Sequence, residues 1–239
     1  MVLMIDEAER LAQIPGALEY LRNCFSRLGE DGARYCVIIS GKTDLFQTVV
    51  EVFSPLERFF QPITLMPLKE IEVFELLQKS AITSRISFDK GVMQEIARVS
   101  EGQPYAVQVF GYCLFEEVVK DSKTTVDKKL LERATSRVYG MLETQLFDRR
   151  IREGVGHSKH KLSIIKKLAQ TQEDNWSFTA IGKLTGIQKK HGLGVYLTQL
   201  VDAGVLRKDT SSGGYSFFME IFKKFVARRL GSWTTDSVR

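Results

Sequence analysis

Val2-Leu3-Met4-Ile5-Asp6-Glu7 decides the reading of this chain: four apolar residues run straight into two adjacent carboxylates. An unbroken apolar run of this kind reads as a short strand buried on both faces, because a parallel sheet covered by helices needs no polar alternation. The sequence turns acidic where that strand would end, and open α/β sheets bind ligands just beyond the carboxyl ends of their strands. An Asp there can hold Mg²⁺ through oxygen, and a Glu beside it can orient a water and take its proton. A second reading stays open: a core strand followed by a helix whose acidic first turn suits the helix dipole.

Outward from this stretch, strands and helices alternate. Leu11, Leu18, Leu21, Phe25 and Leu28 form an apolar stripe at helical spacing, and Pro15-Gly16 interrupts it, so a helix is expected from about Ala17. Residues 35–39 are a second apolar strand ending at Ser40-Gly41, 45–53 a short helix, and 59–65 a third strand. Short connections between alternating strands and helices predict a parallel sheet.

The acidic strand end resembles the Walker B element of P-loop ATPases, and the order that follows is similar to that of AAA+ and related ATPases. The resemblance implies that Asp6 serves Mg²⁺ and Glu7 the attacking water. It makes Ser40, at the end of the next strand, the sensor 1 residue, with Thr43 as second choice. Arg58 lies near where family members carry an arginine finger, which stabilises transition-state charge on a neighbouring subunit's nucleotide. A surface Arg paired with Glu57 or Glu51 is the alternative there. No G-x-x-x-x-G-K-[S/T] loop occurs, and Ser40-Gly41-Lys42-Thr43 lacks the upstream glycine. The resemblance therefore implies the C-terminal portion of a longer enzyme whose cofactors are ATP and Mg²⁺, inactive by itself. In that family the phosphate-loop strand lies between those represented by 59–65 and 35–39. Residues 1–67 alone are then expected to pack loosely, to self-associate through the gap, or to close the sheet differently.

A helical block comes next: an amphipathic segment from Leu68 to Leu77, a helix over 92–99 with Asp89 as N-cap, a third over 106–119, and a fourth from Thr125 towards Leu146. Four helices at this place resemble the AAA+ lid. Gly102-Gln103-Pro104 opens the third helix; Pro suits a first helical turn and Gly a tight approach before it. An ordinary helix start is one reading. In STAND ATPases and the archaeal ATPases similar to them, a G-x-P at this place packs beside the nucleotide base, which implies nucleotide contact at Gly102 and Pro104. No Arg lies between Gly102 and Gly111, where AAA+ initiators carry sensor 2, so the resemblance leans to the STAND/archaeal branch.

After Gly154-Val155-Gly156-His157-Ser158, read as a linker, the order becomes helix, helix, helix, hairpin. Leu162, Ile164, Ile165 and Leu168 mark the first helix, Phe178-Thr179-Ala180-Ile181 a short strand or N-cap before the second, and residues 188–203 the third. Residues 205–208 and 215–218 flank the Gly-bearing turn 210–214, a hairpin signal. This order resembles a winged helix whose third helix enters the DNA major groove N-terminus first. Lys189, Lys190, His191 and Gln199 lie off its apolar stripe, and Arg207 and Lys208 flank the wing; all six are candidates for duplex DNA contact. Interdomain packing is the rival role for such a module. A last amphipathic helix from Phe218 closes the winged-helix core, with membrane contact as the weaker reading.

Composition supports a folded, water-exposed chain: 239 residues, 44% apolar and 26% charged. No apolar run reaches the roughly 18 residues a membrane span needs, no signal peptide is legible, and a cytoplasmic location is expected. Cys24, Cys36 and Cys113 lack C-x-x-C spacing and read as reduced, buried thiols. His157 and His160 have no nearby Cys and make a poor metal pattern. The net charge of +5 is uneven: residues 157–239 hold 14 Lys/Arg against 6 Asp/Glu. Such a concentration is the electrostatic footprint of a phosphate-backbone binder, or a solvated face. The expected architecture is thus an α/β remnant of a P-loop NTPase with parallel strands (1–67), an α-helical lid (68–153) and a C-terminal winged-helix domain (157–231). A non-enzymatic DNA-binding regulator, or a protein-interaction module, is the rival class.

Overall fold

The computed structural model describes residues 1–41, 45–187, 190–209 and 211–229. They form two compact units that divide between Met66 and Pro67.

The first unit opens with β1 (Val2–Ile5), a 3₁₀ turn over Ala8–Gln13, and α1 (Ala17–Glu30). β2 (Cys36–Ile39), α2 (Leu45–Val52) and a second 3₁₀ turn at Ser54–Arg58 follow. β1 and β2 pair in parallel from Val2 against Cys36 to Ile5 against Ile39, as the alternating pattern predicts. The core is small: Ala8, Leu18, Leu45, Val49 and Leu56 are buried, with Ile5, Leu11, Ile39 and Phe53 packed beside them. Three sequence expectations fail here. β1 is not buried on both faces, since Val2 is 65% and Met4 73% exposed. Two strands alone cover little, and only Ile5 at the strand's end reaches the core. Residues 59–65 form no strand: apart from the last turn at Phe59 the segment is irregular, and Ile63 and Leu65 are 80% and 91% exposed. A strand needs a neighbour for its backbone groups, and Pro62 and Pro67 withhold donors from any ladder. Finally, Cys36 is exposed and Cys24 half-buried, so only Cys113 fits a buried thiol.

The second unit begins with α3 (Glu70–Ala81), β3 (Ser87–Phe88), α4 (Lys90–Ser100) and α5 (Pro104–Lys120). β4 (Thr125–Val126) pairs in parallel with β3, and α6 (Lys128–Leu142) follows. Asp127 caps α6 by accepting from the Leu130 amide at 2.9 Å. A π turn at Glu143–Phe147 carries the helical path into α7 (Asp148–Val155). The glycines of the expected linker have a different use. Gly154 and Val155 are buried inside α7, and a Cβ on Gly154 would meet Val205 Cγ2 at 2.5 Å. That glycine serves close packing.

Then come α8 (Lys159–Gln170), α9 (Phe178–Thr185) and α10 (Lys190–Asp202). The Phe178 segment is helical, capped by Ser177, whose hydroxyl accepts from the Ala180 amide. β5 (Leu206–Lys208) and β6 (Tyr215–Phe217) form an antiparallel hairpin, and α11 (Glu220–Arg229) closes the chain's described part. Trp176 exchanges backbone hydrogen bonds with Tyr215, both 2.8 Å, and so adds a third extended segment, one residue long, beside β6. One hydrophobic core runs from Val73 in α3 to Val226 in α11. Phe147, at the end of the π turn, packs into it with ring centroids 5.2 Å from Phe222 and 5.3 Å from Phe225. Among the described residues, no helix is long and apolar enough to cross a membrane.

Candidate functional site

Parallel pairing puts the ends of β1 and β2 side by side, and one more ladder step brings Asp6 next to Ser40. The Ser40 amide donates to Ile5 O at 2.9 Å, and the Ala8 amide to Ser40 O at 3.0 Å. The Ser40 hydroxyl donates to Asp6 Oδ1 at 2.7 Å, and the Glu7 amide donates to the same oxygen at 2.9 Å. Both stabilise the ionised form, so the Ser40 hydroxyl first, then the Glu7 amide, holds the Asp6 carboxyl below its ordinary range. The other carboxylate oxygen takes no hydrogen bond from the described residues. A hard, ionised oxygen facing solvent suits Mg²⁺, which keeps several waters and takes one or two carboxylates. Among the described residues no cluster of three or more His, Cys, Asp or Glu is placed to enclose a metal.

Glu7 occupies the left-handed region at φ 51° and ψ 41°, uncommon for a residue with a side chain. Its carboxylate meets Arg10 at 2.8 Å, an exposed pair that holds it weakly. Gly41 follows Ser40, and a Cβ there would lie 2.4 Å from Glu9 Oε2, so the Glu9 side chain would have to move aside for one. Arg58 ends the second 3₁₀ turn and is exposed. Glu51, one of the partners weighed for it, accepts instead from Gln47 Nε2 at 2.9 Å. Thr43 lies outside the described residues.

The second group lies in the other unit. α4 ends through two successive left-handed residues, Glu101 at φ 47° and Gly102 at φ 71°. A Cβ on Gly102 would sit 2.0 Å from Leu68 O, so the glycine lets the corner press against the start of α3. The Leu68 amide donates to Gly102 O at 2.8 Å, and the buried Ser100 hydroxyl accepts from the Gly102 amide at 3.3 Å. Pro104 takes the first turn of α5, where its missing N–H costs nothing.

In the C-terminal part, Lys189 lies outside the described residues, and Lys190 and His191 are described only as backbone at the start of α10. Gln199 is exposed, on the side of α10 opposite buried Leu193, Leu197 and Leu200. Lys208 Nζ lies 5.8 Å from the Tyr215 ring centroid. Asp209 anchors the hairpin turn, accepting from the Ser211 and Ser212 hydroxyls and the Ser211 amide, which together hold its carboxyl far below the ordinary range. Arg207 is already engaged: its guanidinium pairs with Glu101, and its Nε donates to Ser216 Oγ at 3.2 Å.

The structure thus assembles Asp6, Glu7 and Ser40 into one cluster, packs Gly102 against Leu68 two residues ahead of Pro104, and sets Arg207 and Lys208 on one strand. It also reveals residues that sequence reasoning passed over. Glu101 holds Arg207 through one oxygen and accepts from the Glu220 amide, at 2.6 Å, through the other. Glu143 holds Arg228, with Arg229 at 3.9 Å. Arg150 donates to Gly204 O at 2.5 Å and lies 4.0 Å over the Phe218 ring, its burial lowering its pKa. Only the position of Glu101 beside the G-x-P triplet offered any sequence signal.

No protein-family profile and no curated protein matches the chain. Solved structures do. The Walker-type ATPase PABY2304 of Pyrococcus abyssi aligns with 95% of this chain at 16% identity and TM-score 0.61. The Aeropyrum pernix ORC2 protein, solved with ADPNP and ADP, aligns with 97% at 14% identity and TM-score 0.64. The Thermotoga maritima RuvB Holliday junction branch migration motor aligns with 94% at 17% identity and TM-score 0.50. The chain spans 63% of the PABY2304 chain, 66% of the ORC2 chain and 69% of the RuvB chain. At such identities the likeness establishes the fold alone: the chain is folded like part of these three proteins.

Proposed function

We propose that this chain is the Walker-B-to-winged-helix portion of an archaeal-type STAND/AAA+ ATPase. The observation that carries the reading is the Asp6–Ser40 hydrogen bond at the carboxyl ends of two parallel strands, within a fold shared with a Walker-type ATPase. In this reading Asp6 offers its unused oxygen to Mg²⁺, which, bound with ATP, neutralises charge on the phosphates. Ser40 keeps Asp6 ionised and oriented. Glu7 leaves Arg10 to take the proton of the attacking water. Arg58 serves a neighbouring subunit's nucleotide, and the Gly102–Pro104 corner lies beside the base. The phosphate-binding loop is supplied by sequence outside these 239 residues.

Residues 68–153 act as the lid and 157–231 as a winged helix. Supporting the latter are three helices, a hairpin with an added extended residue, and a closing helix, in that order. Duplex DNA is its partner, supported by the excess of Lys/Arg over Asp/Glu in this part of the chain, and the cytoplasm is its compartment. A non-enzymatic DNA-binding regulator is the second reading, favoured by the lack of a G-x-x-x-x-G-K-[S/T] motif in these residues.

The test is ATP turnover by a protein carrying a phosphate loop in frame ahead of Val2. Glu7→Gln should lower turnover about 10²–10⁴-fold, the span of a lost general base, with nucleotide binding retained. Unchanged turnover overturns the role of Glu7. Glu7-dependent hydrolysis by the 239-residue chain alone overturns the external loop.

A further inference from the structure

Three arginines of the basic C-terminal part are held by two carboxylates of the helical part. Glu101 and Glu143 are each largely buried, with side chains 22% and 18% exposed, whereas Arg207 and Arg228 remain 48% and 60% exposed. The carboxylates are fixed in place by more than the ion pairs. Glu101 sits on the left-handed corner before Gly102 and accepts from the first amide of α11. Glu143 opens the π turn between α6 and α7. Their partners are solvent-facing, and Arg207 stands beside Lys208 on β5, the strand assigned to the wing.

A carboxylate oxygen on an exposed guanidinium offers it the charge and the acceptor that a DNA phosphate oxygen would. We propose that Glu101 and Glu143 are internal stand-ins for phosphate, holding Arg207 and the Arg228–Arg229 pair so that duplex DNA must displace a carboxylate to engage them. The inference rests on the DNA-binding reading above and adds the groups that set its strength. Ion pairs whose cationic partner faces solvent in this way are weak, within about 1 kcal/mol, equivalent to about fivefold in affinity. A polyanion with many phosphates therefore outcompetes them, at a cost in affinity. The basic part binds less tightly than its charge suggests, and its salt dependence under-counts its arginines.

The experiment is fluorescence anisotropy with a labelled duplex at two or more salt concentrations, using the full chain, Glu101→Gln, and Glu101→Gln combined with Arg207→Gln. Glutamine keeps an oxygen to accept from the Glu220 amide while the charge is lost, and a melting curve of each variant checks that it is folded. Glu101→Gln should bind up to about fivefold more tightly, with a log K against log salt slope steeper by about 0.9, one added phosphate contact. The Arg207→Gln change should cancel both gains. If the full chain binds DNA and folded Glu101→Gln shows the same affinity and slope, the stand-in role is overturned and the DNA reading stands. Weaker binding by Glu101→Gln also overturns it, making Glu101 a residue that positions Arg207 for DNA. If neither protein binds at low salt, the DNA reading itself falls.

Discussion

Replacing Gly102 with alanine isolates a contact on which the second unit depends. Gly102 sits at φ 71°, and an added Cβ would lie 2.0 Å from Leu68 O and 2.9 Å from Leu68 C and N. Placing a side chain in the left-handed region costs about 1–2 kcal/mol. The obstructing atoms are backbone and cannot rotate away, so overpacking adds about 1–3 kcal/mol. Moving the two segments apart would release the clash, but it would stretch the 2.8 Å Leu68 N–H bond to Gly102 O. Together these give a destabilisation of about 2–5 kcal/mol, or roughly 4–20 °C in Tm for a unit of this size. Gly186 provides the control: its φ is 75°, and nothing lies within 4 Å of where a Cβ would stand. Gly186→Ala should therefore cost only the conformational part, about 1–2 kcal/mol. Urea titration followed by the fluorescence of Trp176, 2% exposed in this unit, reads both variants. A Trp233→Phe background makes Trp176 the sole indole. If Gly102→Ala is no more destabilising than Gly186→Ala, the close approach to Leu68 does not explain this glycine.

Two further outcomes are expected. Ser40→Ala removes the larger of the two hydrogen bonds that depress the Asp6 pKa, so the Asp6 titration followed by NMR should move up towards the ordinary carboxylate value. A depressed carboxylate stabilises the fold fully above its unfolded pKa and loses that contribution as pH falls through the folded value. In Ser40→Ala the pH range of this loss should narrow from its acidic end, and an unshifted Asp6 titration would mean the bond is absent in solution. Phe147→Ala, which empties the ring cluster shared with Phe222 and Phe225, should cost about 3–5 kcal/mol. Hydrogen exchange should then show α5 and α8 losing protection together, because one core supports both; retained protection in α8 alone would separate them.

Much of the architecture was legible because its signals are local. The apolar runs of β1 and β2, the stripe of α1 and the Pro104 start of α5 each depend on residues within a few positions of one another. The errors are equally specific. Residues 59–65 have strand composition, but a strand exists only where a neighbour completes its ladder, and composition does not report the neighbour. Gly154 reads in sequence as part of a linker, whereas its use is contact with Val205. The two-residue strands β3 and β4 are too short to carry a period.

For the site, the residue types were visible and their company was not. The sequence by itself determined that two carboxylates follow an apolar strand, that a Gly-x-Pro opens a helix, and that positive charge gathers towards the C-terminus. Only tertiary structure decided that Asp6 meets Ser40, 34 positions away, and that Glu101 meets Arg207, 106 positions away. The physical reason is range. Periodicity and capping act over one or two turns of chain, while a hydrogen bond between distant side chains forms only after strand register and helix packing have placed both ends.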